Sequence, residues 1–368
     1  MTFSEGSLAS VALLSAIFAL SSFQQQDMIS AAEYRRRALN AVWASAAQQA
    51  TAQDVLRRIV CMNFLAIYEQ IACPESPDEW TSSIFHSKTD IISVFPLGRM
   101  YHGDLSLILD WTYHYDLLFK FNMGRYKNMS QKLLKCAKKK HIMLARSYGT
   151  NQSQVIFAPF RTELVDLFSS PFQIVPTLGC SLEIFHTITF ITDAGLLIEL
   201  DGSTFAESFD KLERRLKYAV QDFHVDTKNT TPWLERETDH VRDIAELYRL
   251  AALIYLHRIG RRALKSVYDI QPFMSSSLDI LNRLETCERT LPLFVIGCEA
   301  QSGEARSVIL RLIGSTELAF FQCSNMTRLR GFLERFWALD DLDDLEESSY
   351  SEKITAVLSS GQSLPPFS

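Results

Sequence analysis

The chain has 368 residues, of which 47% are hydrophobic and 22% charged, with a formal net charge of −6. That composition builds a globular core and excludes a largely disordered chain. The negative balance excludes a broad duplex-binding face, which needs cations to displace the counterions of the phosphates. Only 14 glycines and 11 prolines punctuate the chain, too few for the frequent turns of an all-β fold, so long helices are expected. Seven cysteines, without a Cys-x-x-Cys pair, read as buried thiols rather than a disulfide framework or a zinc site.

In chain order, Val11 to Leu20 is an apolar run. Its flank carries Glu5 and no basic residue, and the run is too short to span a bilayer. It is expected to be the first core helix. Ser30 with Glu33, and Thr51 with Asp54, have capping-box spacing and predict helices over 31–50 and 52–72. A loop over 73–83 follows, then helices over 105–121 and 131–146. The stretch 180–200 predicts a long apolar helix with some strand character at Ile188, Thr189 and Ile191. An amphipathic helix over 204–223 comes next. Thr231-Pro232 then opens a helix to Ile259, with proline at the first helical position. From Ile244 that helix is apolar on every face, as a helix in the middle of a bundle is. Ala305, Val308, Ile309, Leu312 and Ile313 mark a one-sided amphipathic helix, and 325–339 closes the folded part. The expectation is an all-α fold, a single large irregular helical bundle over 1–340, with an acidic, disordered tail over 341–368.

Nucleophile-elbow, phosphate-loop, dinucleotide and zinc-protease motifs are absent from the sequence. Cys180 and His186 share an apolar run. A separation of six residues turns a helix by about 600°, which puts the two on different faces. A buried thiol and a bonded core histidine are therefore expected. His114 and His257 read as packing or cavity-edge residues. Lys138, Lys139 and Lys140 lie in a basic stretch that suits either a solvated helix face or a nuclear-import patch. Near the end, Leu339, Leu342 and Leu345 alternate with Asp340, Asp341, Asp343 and Asp344, just after Phe336 and Trp337. Acidic residues keep such a segment solvated while spaced apolar groups remain available to a partner groove. This is the pattern of an activation segment.

Two stretches carry a family resemblance: Glu246 to Arg258, and Pro292 to Ala300. The second is followed by Arg306, Ile309 and Leu312, then by Leu333 to Trp337. In this order and spacing they resemble the fungal-specific regulatory domain found C-terminal to the zinc binuclear cluster of many fungal transcription factors. Leu13 to Ser22 and Leu178 to Ser181 resemble its opening and middle, so the likeness covers about residues 8 to 340. The resemblance implies a nuclear regulator of transcription, all-helical, neither an enzyme nor dependent on a cofactor. Its implied partners are the transcription machinery or other transcription factors, a second copy, and a small-molecule effector, with no membrane. DNA would be reached only through a zinc-cluster module, which is missing from this chain. The departure leaves two accounts of the beginning: a cluster-less regulator, or a start that has lost the cluster. The alternatives to a transcription factor are a ligand-responsive cofactor that binds full-length factors and a helical enzyme of a fungal metabolic gene cluster.

Overall fold

The computed structural model describes residues 7–47, 51–72, 173–175, 178–198, 206–223, 232–260, 267–319 and 324–342, with single positions at 105–112 and 353–357. The all-α expectation holds: among the described residues the strands are two of two residues each. The chain divides into two compact units, Met1–Phe119 with Phe160–Leu167, and Lys120–Pro159 with Phe168–Ser368.

The first unit is built on α1 (Leu8–Gln24), α2 (Met28–Ala46) and α3 (Ala52–Ala72). The apolar run near the N-terminus is a core helix, as expected. Ala9, Ala12, Ala16 and Ala19 are buried at i, i+3, i+7 and i+10 along α1, and Ala31, Ala38 and Ala41 are buried on α2. These small side chains let the two backbones approach closely, and Leu13, Val42, Val55, Ile59 and Leu65 fill the space beneath. α3 keeps its predicted cap: the Asp54 amide donates to Thr51 Oγ1 (3.2 Å), and the Thr51 amide donates back to Asp54 Oδ2 (3.4 Å). α2 starts three residues before the predicted first helical position, 31. Asp27, not Ser30, is its N-cap, accepting from the Ser30 amide at 3.1 Å. Arg35 donates twice to the buried Glu69 and ties α2 to α3. Arg58 donates to the Ser45 carbonyl near the end of α2, satisfying an acceptor that the helix leaves open.

Among its described residues the second unit has first an antiparallel pair, β1 (Ile174–Val175) and β2 (Cys180–Ser181), and then α4 (Leu182–Ile198), α5 (Ala206–Tyr218) and α6 (Pro232–Tyr255). The sequence placed Cys180 in the helix; it lies in β2 instead. The turn before it needs Gly179 at φ +78°, where an added Cβ would also meet Tyr248 at 3.0 Å and Arg289 at 3.1 Å. Residues 188–191 are helical despite their β-branching, and Thr189 and Thr192 satisfy their hydroxyls on carbonyls four residues back.

α6 opens at Pro232, as predicted, and passes into a π-helical turn over Leu256–Gly260. Ala245, Leu247, Leu250, Ala251, Leu253, Ile254 and Leu256 are all buried, and from Leu250 on the chain is enclosed on every side. Against α6 pack α7 (Val267–Arg283) and α8 (Thr290–Gly297), and on these in turn pack α9 (Gly303–Ala319) and α10 (Ser324–Leu342). All eight residues of α8 are buried, which explains why its sequence is apolar without periodicity. Pro292 falls in its first turn, where a missing N–H costs nothing.

Among the described residues no helix is long and apolar enough to cross a membrane. Cys61, Cys180, Cys287 and Cys298 are buried free thiols. Beyond the acidic run, Ile354 and Val357 are helical and buried.

Candidate functional site

A buried ion pair of the second unit joins the two stretches on which the family resemblance rests. Arg258, in the π-helical turn after α6, donates from Nε to Glu299 Oε1 (2.9 Å) and from Nη2 to Glu299 Oε2 (2.7 Å). Glu299 follows α8. Both side chains are nearly fully buried. A fork-to-fork pair satisfies both ions in the same plane, which is what makes burial of the charges tolerable. Beside it, buried His257 packs at 5.9 Å from the ring of Phe273 and 3.6 Å from a Glu213 carboxylate oxygen. Of the two roles expected of His257, packing or cavity edge, its burial fits packing.

Next to this pair, α8 and α10 meet through Gly297. A Cβ there would stand 2.8 Å from both methyls of Leu333, so only glycine admits this crossing. The same residue's carbonyl accepts from Trp337 Nε1 at 2.8 Å. Phe294, Phe332 and Phe336 stack behind it, with ring centroids 5.1 and 6.3 Å apart.

The candidate activation segment lies on the last turns of α10. Phe336 and Trp337 belong to the core, at 2% and 5% exposure. Leu339 and Leu342 face solvent, at 37% and 79%. Asp341 accepts from both terminal nitrogens of Arg306, at 2.8 Å each, and this hydrogen-bonded guanidinium holds its carboxyl below the usual range. Asp340 pairs with buried Lys353. Arg306 also donates to the Ala300 carbonyl at 3.0 Å and sits 5.4 Å from the Trp337 ring centre, a cation–π contact. Asp343, Asp344 and Leu345 lie outside the described residues, as do Lys138, Lys139, Lys140 and His114.

The Cys180–His186 run does not build a nucleophile. Burial pushes the Cys180 thiol above its ordinary range and lowers His186 to about 4, so both neutral forms are favoured. Burial likewise raises the Cys61 thiol, and moves Cys287 to about 12. Sequence reasoning did not give the pairings: Glu299 with Arg258, Arg306 with Asp341, and Lys353 with Asp340; Glu299 and Arg306 entered only through the resemblance, and Lys353 not at all. Each partner lies 13 to 41 residues away along the chain, and nothing in local spacing joins them.

The model of the fungal-specific transcription factor domain matches residues 2–357. A curated relative, transcription factor iacI of Pestalotiopsis fici, is 24% identical over 309 residues, covering 83% of this chain and 71% of the relative. No solved structure matches the chain significantly. The buried links between Arg258 and Glu299 and between Gly297 and Trp337 hold together the segments that carry the likeness. The chain belongs to the fungal-specific transcription factor domain family, and its function is the regulation of transcription.

Proposed function

We propose that this chain is a non-catalytic regulatory domain that works in the nucleus and delivers its output through the acidic end of α10. The observation that carries this reading is the family match over residues 2–357. The site chemistry agrees with it: buried Arg258 and Glu299 are engaged with each other, and the Cys180 and Cys287 thiols are held neutral by burial. The contact surface consists of Leu339, Asp341 and Leu342, exposed on one helix end, continued in sequence by Asp343, Asp344 and Leu345. Phe336 and Trp337 anchor that surface rather than belong to it. Its partners are the transcription machinery or other transcription factors. The chain engages DNA through a zinc-cluster module and not through its own acidic body.

The test fuses the whole chain to an unrelated DNA-binding module and reads a reporter in yeast, with a fluorescent tag reporting location. Reporter output that falls when Leu342 is replaced by alanine, together with nuclear fluorescence, supports the reading. A silent reporter overturns the assignment of output to this segment. Tight, sequence-selective DNA binding by the purified chain at physiological salt would overturn the acidic-body argument.

A further inference from the structure

Asp341 is 60% exposed, yet both of its oxygens are occupied by one guanidinium from another helix. Arg306 is itself held from two further directions, by the Ala300 carbonyl and the Trp337 ring, so its fork is fixed where Asp341 meets it. Leu339 and Leu342 flank this pair and are covered by nothing comparable. The same short helix end thus presents one satisfied acid and two unsatisfied apolar groups.

We propose that this edge is a docking surface for a partner with an apolar groove and a cationic rim, and that Arg306 is the internal competitor for it. The inference deepens the reading of the acidic end as the output surface and rests on it. The charge argument is direct, because Arg306 already displays the geometry that a partner cation must reproduce on Asp341. The competition argument follows from strength. An ion pair with one exposed member is weakly held. A partner that replaces Arg306 and also covers Leu339 and Leu342 gains apolar burial that the free domain lacks. Release therefore leaves Trp337 in the core, on the Gly297 carbonyl, and frees only the last turn.

The experiment uses the full chain with Arg306→Gln and, separately, Asp341→Asn. The second variant alters only an exposed carboxylate and so serves even if the first folds poorly. Amide exchange over residues 338–342 is expected to quicken by about fivefold in both, the scale of one such pair, with the amides of α8 unchanged. In the reporter fusion, Arg306→Gln is expected to raise output, and adding Leu342→Ala to abolish the gain. Unchanged exchange in both variants overturns the role of Arg306 as competitor, whatever the reporter does. Faster exchange with a reporter silent in every variant overturns the docking surface and the output reading, while the Arg306 clasp stands.

Discussion

Arg258 and Glu299, 41 residues apart, form a bidentate ion pair sealed inside the second unit, at 2.9 and 2.7 Å. Removing one member strands the other charge in the core. Glu299→Ala is therefore expected to cost about 3 to 5 kcal/mol. Replacing both, as Arg258→Met with Glu299→Leu, is expected to recover most of that loss, because neither desolvated charge remains. Urea denaturation of the single and double variants checks this. A double variant no more stable than Glu299→Ala would show that the pair is not the reason for the loss.

Gly297 supports a second stability prediction. An alanine methyl would need the space of both Leu333 methyls, at 2.8 Å. Overpacking of this kind costs about 1 to 3 kcal/mol. Leu333→Ala in the same chain should relieve part of the strain, so the two substitutions together should cost less than their sum. Thermal melts of the two singles and the double give the coupling directly.

Thr51 closes a reciprocal cap with Asp54 at the start of α3. Thr51→Ala is expected to destabilise the chain by about 1 kcal/mol, and Thr51→Ser by much less. Equal losses for alanine and serine, measured by urea denaturation, would rule the hydroxyl out as the source of the effect.

His186 sets a pH dependence. Its pKa in the fold is about 4, against an ordinary value of 6.5, because burial disfavours the imidazolium. Between these values the unfolded chain binds the extra proton, so stability rises with pH across this window. The contribution is complete above about 6.5 and is lost as the pH falls to about 4, on the order of 3 kcal/mol in all. His186→Gln should flatten the stability profile between those limits. A profile with the same slope in wild type and variant would place the pH dependence elsewhere.

The all-helical class, the first core helix, the cap on α3, the opening of α6 at Pro232 and the all-round burial of the second half of α6 were legible in the sequence. Each depends on residues within a turn or two of one another, where spacing and cap chemistry decide the outcome. The start of α2 was misplaced because Asp27 and Ser30 both suit a cap, and local preference does not choose between them. The β1–β2 pair was missed because two-residue strands leave no period to read.

The family was also legible, since it is written in the order of short stretches along the chain. What tertiary structure alone decided is how those stretches meet. Arg258 finds Glu299, Trp337 finds the carbonyl of Gly297, and Arg306 finds Asp341 across 35 residues. The acidic end looked uniform in sequence, with its aromatics and leucines equally available. Packing separates them: Phe336 and Trp337 go inward, where α8 supplies apolar contacts and a hydrogen-bond acceptor, while Leu339 and Leu342 stay outside. Composition and spacing determine which residues can form a helix and which of its faces is apolar. Which charges and which aromatics meet depends on the path of the chain between them, and that is set only when the helices pack.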